Sequence, residues 1–138
     1  MNIDSIKNGI VIDHIKAKKG MDIYEALNLN ELDCSVAVIT NAKSKKMGRK
    51  DIIKIDKDFE VNIDMIGFLD SNITINIVKD DKIIKKFHAN LPEKIVNIAK
   101  CQNPRCITSQ EKELDQIFIL TNKEKQTYRC KYCEMSLK

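Results

Sequence analysis

The chain has 138 residues, of which 43% are hydrophobic and 32% charged, and its formal net charge is +4. This composition is typical of one medium domain or two small ones, and it excludes an intrinsically disordered chain. No apolar run approaches 18 residues, which excludes a membrane-spanning helix, and Asp4 and Asp13 interrupt any secretory signal, so we expect a cytoplasmic protein.

The first ninety-odd residues predict an α+β domain. Apolar and polar residues alternate with a period of two, as in β-strands, over residues 10–15, 35–40, 52–56, 73–78 and 83–88. Residues 21–29 and 63–70 instead gather apolar side chains on one helical face, and Asn62 is placed to cap the second helix. Asp80 and Asp81 predict the turn between the last two strands. This order predicts an antiparallel, ferredoxin-like sheet with two helices on one face and the other face open.

The next segment, NLPEKIVNIAK, predicts a short helix that connects two domains. Asn90 and Glu93 have the spacing of a helix cap, and Leu91, Ile95 and Ile98 fall at helical intervals. We therefore expect one domain over residues 1–95 and a second over residues 96–138.

Two tight cysteine pairs dominate the second domain. CQNPRC places Cys101 and Cys106 together, and CKYC places Cys130 and Cys133 together after 23 intervening residues. Four thiolates at this spacing favour one structural Zn²⁺ per chain, because no ligand position is left open for a substrate. Iron binds similar ligands, and two disulfides are a further alternative. A segment this short buries little core, so the metal would stabilise a small β-domain. Cys34 is expected to be a core residue.

Several polar residues interrupt the apolar strands. Lys54, Asn76 and Lys86 could gather with His14 on the open face of the sheet, where ammonium groups and an amide suit a phosphate or a nucleotide. A solvated face is the alternative. Asp13 and His14 should point to opposite faces of a regular strand. The sequence contains no catalytic motif that we recognise, so an enzyme is not expected.

The segments GIVIDHI, MGRKDIIKI, NLPEKI, CQNPRC and CKYC together resemble the regulatory chain of bacterial aspartate carbamoyltransferase, in the same order and over nearly the whole chain. The resemblance implies a non-catalytic subunit of pyrimidine biosynthesis. It implies an N-terminal allosteric domain that binds CTP or ATP and a C-terminal zinc domain that docks on the catalytic chain. It also implies a homodimer of regulatory chains, and neither a nucleic-acid nor a membrane partner.

The resemblance also assigns roles to residues. The backbone of Ser5 and Ile6 would contact the base, and Ile3 would lie beside the ribose. Ribose and base contacts fall on Asp13 and Lys54, and triphosphate contacts fall on His14 and Lys86 with Asn76 nearby. The pocket wall is completed by Val78, Asp81 and Ile83, and the zinc ligands are Cys101, Cys106, Cys130 and Cys133. Since both Asp13 and His14 would face the ligand, the resemblance implies an irregular first strand.

Two other functions fit parts of the sequence. One is an assembly-only subunit that keeps the zinc domain but does not respond to nucleotides. The other is a zinc-ribbon protein that binds nucleic acid, which requires exposed basic and aromatic residues. Residues 96–138 carry 8 Lys/Arg against 5 Asp/Glu, an excess that four thiolates around one Zn²⁺ reduce to +1, and the whole chain has only seven aromatic residues. The composition therefore gives the nucleic-acid interpretation little support.

Overall fold

A computed structural model describes residues 6–58 and 60–137 of the chain. The chain divides into two compact units, Met1–Asn90 and Leu91–Lys138. No helix in the described residues is long and apolar enough to cross a membrane.

The first unit is an antiparallel sheet of five strands with two helices. In chain order its elements are β1 Gly9–Lys16, α1 Gly20–Ala26, β2 Val36–Ser44, β3 Gly48–Ile55, α2 Ile63–Leu69, β4 Thr74–Lys79 and β5 Lys82–His88. The strands lie in the order β2-β3-β1-β4-β5, and all neighbouring pairs are antiparallel. The predicted order of strands and helices and the predicted α+β class are confirmed.

One face of this sheet packs against both helices. Alternate strand residues such as Ile10, Ile53 and Ile75 are almost fully buried, and they form one core with Ile23 of α1 and Ile66 of α2. A β-strand sends successive side chains to opposite faces, so the residues between these isoleucines lie on the other face. That second face is the predicted open one.

Both helices are short, with seven residues each, and the second one begins at a side-chain cap. The side chain of Asn62 accepts a hydrogen bond from the backbone N–H of Met65 at 3.1 Å, so the predicted cap of α2 is confirmed. The first helix ends earlier than predicted. Asn28 is in the left-handed region at φ 53°, and a 3₁₀ turn, Leu29–Glu31, follows it.

Two bulges flank β3. The pairing of β1 with β3 shifts register between Ile12 and Ile15, and the pairing of β2 with β3 shifts between Ile39 and Ala42. Each bulge opposes extra residues of one strand to β3 and sharpens the local twist. Beyond the first bulge Ile15 is again fully buried, so the apolar face of β1 continues.

The second unit is a small β-domain. Its elements are β6 Lys94–Val96, α3 Ile107–Gln110, β7 Ile117–Asn122 and β8 Thr127–Cys130, and its sheet has the order β6-β7-β8. The helix predicted from NLPEKIVNIAK is wrong, because Lys94–Val96 pairs with β7 instead. The pairing buries Ile95 against the core position Phe118, and such tertiary burial outweighs a short helical periodicity.

Candidate functional site

The four cysteines of the second unit converge on one point. Cys101 and Cys106 lie on the loop before α3, Cys130 is the last residue of β8, and Cys133 follows in the next turn. Their four sulfur atoms all lie within 4.8 Å of one another. The Cys101–Cys133 and Cys106–Cys130 sulfur distances are 3.6 and 3.7 Å. Tetrahedral Zn²⁺ with bonds of about 2.3 Å would space its sulfurs about 3.8 Å apart, so the cluster fits such an ion.

Hydrogen-bond donors surround these sulfur atoms. The hydroxyl of Thr108, itself 1% exposed, donates to the sulfur of Cys106 at 3.1 Å. The side chain of Asn103, from the first cysteine loop, donates to Cys133 of the second. Backbone N–H groups of the two loops also point at the sulfurs, as at Cys101, which the N–H of Asn103 contacts. Donors in these positions stabilise thiolates rather than thiols.

The four thiols do not titrate alike without a metal. Burial raises the pKa of Cys101 to about 12, whereas the Asn103 side chain lowers the pKa of Cys133 to about 7. The Thr108 hydroxyl likewise lowers the pKa of Cys106, and burial raises that of Cys130. A bound cation would deprotonate all four, since metal ligands must be thiolates.

The cysteines are not paired as disulfides. All five are free thiols, and the sulfur distances above exceed the disulfide bond length of about 2.05 Å. Four protein ligands leave no coordination position for a substrate, so a metal here is structural. Cys34 lies apart from the cluster and packs, half-buried, against the core of the first unit, as predicted.

The polar residues singled out in the first unit fall in one row across the open face. In the strand register Ala37 is opposite Lys54, Lys54 is opposite Val11, Val11 is opposite Asn76, and Asn76 is opposite Lys86. Paired residues of neighbouring strands share a face, with Cβ atoms about 5 Å apart. Two lysines and an amide are therefore brought together by the sheet, although they are 32 positions apart in the sequence.

The first bulge lies on the central strand β1, just beyond the row member Val11, and carries Asp13 and His14. His14 is in the left-handed region at φ 61°, and its backbone N–H donates to the Asp13 carboxylate at 2.6 Å. The His14 ring contacts the hydroxyl of Thr74 through Nδ1 at 2.8 Å. The strict alternation expected of β1 is therefore wrong at these two residues. β1 is irregular here, as the family resemblance implied, and continues to Lys16.

Lys50 is a residue of this face that the sequence analysis missed. Its ammonium group forms an ion pair with Asp13 at 2.9 Å, and both side chains are largely buried. On β3, Lys50, Ile52 and Lys54 are half-exposed while the residues between them are fully buried. The same period of two that placed Lys54 on the open face would have placed Lys50 there.

Charges act strongly on the residues of the bulge. Burial would raise the pKa of Asp13, but the hydrogen bond from Lys50 and the N–H of His14 outweigh it, so this pKa is lowered. Burial is the largest cause of the lowered pKa of His14; the charge of Asp13 acts to raise this pKa, and the charges of Lys50, Lys46 and Lys86 lower it further. His14 thus lies in a region where several lysines raise the positive potential, which suits an anion.

Asn76 has an unsatisfied group in this row. Its Oδ1 atom is buried and has no hydrogen-bond partner among the residues that the structure describes. Most buried polar atoms have a partner, so each exception needs an explanation such as a ligand or an ion.

The remaining predicted residues of the described chain lie on β4, on β5 and in the turn between them, on the side of the row away from the bulge, except Ile6, which precedes β1. Val78 is two residues from Asn76 on β4 and opposite Ile83 of β5, whose side chain is 61% exposed. Asp81 is in the β4–β5 turn, where its backbone N–H donates to the carbonyl of Lys7 at 3.0 Å. Ile6 is buried. Ile3 and Ser5 lie outside the described residues.

Comparisons with known proteins match the two units to two domains of one family of chains. The family model described as "Aspartate carbamoyltransferase regulatory chain, allosteric domain" matches residues 1–90, and the one described as its "metal binding domain" matches residues 93–138. The chain belongs to this family. The relatives named "Aspartate carbamoyltransferase regulatory chain" include proteins of the following three organisms. The protein of Clostridium acetobutylicum is 50% identical over 97% of this chain and 92% of its own, and that of Clostridium tetani is 49% identical over 97% and 94%. That of Bifidobacterium longum is 41% identical over 100% and 99%.

Family membership confirms several predictions made from the sequence. The chain is a regulatory chain of aspartate carbamoyltransferase and not a catalytic one. The metal-binding family model spans all four converging cysteines, and both findings support a bound metal. The allosteric-domain model spans the sheet and its polar face. The family favours a regulatory role over nucleic-acid binding.

Proposed function

We propose that this chain binds CTP or ATP on the open face of its first unit and conveys the effect to the catalytic chain of aspartate carbamoyltransferase through a zinc-loaded second unit. One observation carries this proposal: the open face brings together the row of Lys54, Asn76 and Lys86, with the Asp13–His14 bulge and Lys50 beside it. Coupling of about 1–3 kcal/mol between effector and catalytic sites is sufficient for such regulation.

The chemistry of the row fits a nucleoside triphosphate. Ammonium groups such as Lys86 and Lys50 attract phosphate oxygens, and the left-handed bulge places the His14 ring beside them. Asp13 offers a carboxylate that accepts hydrogen bonds from ribose hydroxyls, and its pairing with Lys50 keeps it charged. Asn76 offers an unpartnered acceptor to the same ligand. We assign base contacts to Ser5, Ile6 and Lys54, a position beside the ribose to Ile3, and the pocket wall to Val78, Asp81 and Ile83.

Calorimetric titration tests the nucleotide site directly. The zinc-loaded chain is titrated with CTP and with ATP, beside Lys86→Ala and a matched control, Lys85→Ala. Lys85 is the next residue of the same edge strand but lies on the opposite face, over the Phe87 ring. A charge-assisted hydrogen bond contributes about 1.5–3 kcal/mol, so we expect Lys86→Ala to weaken binding about tenfold to hundredfold. Lys85→Ala should bind as the wild type does.

Two results would contradict the nucleotide site. If both lysine variants lose affinity equally, binding reflects overall charge rather than the open face. If the wild-type chain binds neither nucleotide, the chain is an assembly-only subunit that retains the metal-binding unit.

We propose Zn²⁺ as the metal because four thiolates at tetrahedral spacing match its ligand preference. Elemental analysis of the purified chain should find one zinc per chain, and a coloured, iron-containing protein would contradict this assignment. The thiolates must stay reduced, which fits the cytoplasm.

We propose that the second unit docks on the catalytic chain and that two regulatory chains form a dimer. If the metal holds the docking surface in shape, chelation or a mercurial should dissociate the assembled enzyme. Size-exclusion chromatography before and after treatment measures this, and an assembly that keeps its size without metal would refute the proposed role of the second unit.

A further inference from the structure

Asp51 is a fully buried carboxylate directly beneath the polar face. It lies on β3 with its side chain on the helix-covered side, and 0% of the residue is exposed. One oxygen accepts the backbone N–H of Gly20 at 2.7 Å, and the other accepts that of Asn41 at 2.7 Å. The backbone N–H of Lys18 adds a further hydrogen bond. A buried carboxylate that accepts several backbone donors is a strong local constraint on the chain.

The three donors come from two irregular segments. Lys18, with φ 73°, belongs to the turn between β1 and α1, and Gly20 is the first residue of α1 directly after that turn. Asn41 belongs to the bulge of β2, with φ 58°. Non-glycine residues adopt this conformation only where their surroundings hold it, and here Asp51 supplies the holding contacts.

The residues beside Asp51 on β3 face the ligand side. Lys50 makes the 2.9 Å ion pair with Asp13. Ile52 is opposite the bulge that carries Asp13 and His14, since the register shifts there between Ile12 and Ile15. The same short stretch of β3 thus carries Asp51 on the helix-covered face, where it is anchored by hydrogen bonds, and Lys50 and Ile52 on the open face beside the polar groups.

We infer that Asp51 is a positioning residue of the effector site. Asp51 does not touch the ligand. Its hydrogen bonds fix the turn after β1 and the bulge of β2, which lie on either side of β3, and they thereby hold Lys50, Asp13 and His14 in their positions on the open face. This inference rests on the proposed nucleotide site for its functional meaning, but the positioning itself can be measured without any ligand.

The variant Asp51→Asn tests it. Asparagine has one acceptor oxygen and one donating amide, so one of the two 2.7 Å contacts becomes a contact between two donors. The control is Ile53→Ala, which removes a fully buried side chain from the same face of the same strand and leaves these donors untouched. This control variant lowers the free energy of unfolding without changing the hydrogen bonds of Asp51, so it shows what a general loss of stability alone would do.

Two quantities are measured on the zinc-loaded chain. The first is the titration of the His14 ring by NMR without ligand, where Asp13, Thr74, Lys46, Lys50 and Lys86 surround the ring. If Asp51 holds these groups in place, Asp51→Asn should raise the pKa of His14 toward its ordinary value. The second is the affinity for CTP and ATP, which should fall about tenfold, as expected for a loosened charge-assisted contact. Ile53→Ala should change neither quantity.

The outcomes separate the two proposals. If Asp51→Asn leaves the His14 titration and the affinity unchanged, Asp51 only stabilises the fold and the inference is wrong. If the wild type binds no nucleotide, the proposed site fails, while the His14 titration still decides the positioning. Should Asp51→Asn not fold, Gly20→Ala displaces the same carboxylate more gently, because its Cβ would lie 2.9 Å from Oδ2 of Asp51. The same two measurements then apply.

Discussion

Removal of the metal should unfold the second unit and leave the first one folded. A structural metal in a four-thiolate site contributes about 10 kcal/mol or more to folding. Total stability is about 0.05–0.15 kcal/mol per residue, which for residues 91–138 amounts to about 2–7 kcal/mol. Its fully buried apolar side chains are few, chiefly Ile95, Phe118 and Tyr128. The free energy lost with the metal therefore exceeds the total folding free energy expected of a unit of this size.

The first unit has no such dependence. Its core combines residues from five strands and both helices and contains none of the metal ligands. Amide hydrogen exchange on the zinc-loaded and chelated chain separates the two units in one experiment. The amide of Phe118, on the central strand of the second sheet, and that of Cys130, which donates to the carbonyl of Met135, should lose protection after chelation. Those of Ile12 and Ile53, paired across β1 and β3, should keep theirs. Protection that persists at Phe118 without metal would refute the argument.

Three further changes have defined consequences. Thr108→Val removes the donor to the sulfur of Cys106 and should speed metal transfer to a chromogenic chelator about tenfold, whereas Thr108→Ser should not. Gly67→Ala gains about 1 kcal/mol of helix propensity, but its Cβ would collide with the carbonyl oxygen of Asn90, an overpacking that costs about 1–3 kcal/mol; chemical denaturation should show a net loss of stability. The pKa of Asp51 is lowered in the folded chain because its backbone hydrogen bonds outweigh the raising effect of burial. Its contribution to stability is therefore complete above the unfolded value of about 3.9 and is lost as the pH falls through the folded value. Denaturant midpoints between about pH 5 and pH 2 should decline less steeply for Asp51→Asn.

Much of this molecule follows from local pattern. Period-two alternation located all five strands of the first unit, because one face of each of them is buried against helices. The helix cap at Asn62 follows from side-chain chemistry within one turn. The cysteine spacing was sufficient for the metal cluster, since each pair needs only a short loop to bring its sulfurs together.

The features that local sequence pattern did not predict depend on partners distant along the chain. The bulge at Asp13 and His14 arises from pairing with β3, and alternation alone predicts a regular strand there. The segment Lys94–Val96 has a helical pattern in the sequence, but in the structure it forms a strand because it pairs with β7. The role of Lys50 has the same origin: its alternation with Lys54 is visible in the sequence, but its partner Asp13 lies on another strand.

The convergence of four sulfurs on one point also simplifies the folding of the second unit. Four cysteines can form disulfides in three different pairings, and wrong pairings must be broken before a chain can fold. One ion that binds Cys101, Cys106, Cys130 and Cys133 together has a single arrangement of partners. Incorrect intermediates differ only in which ligands are not yet bound, and thiolate exchange on a metal corrects them without an oxidant. A metal-loaded second unit would thus be cross-linked at four points without disulfide isomers in which the chain could become trapped.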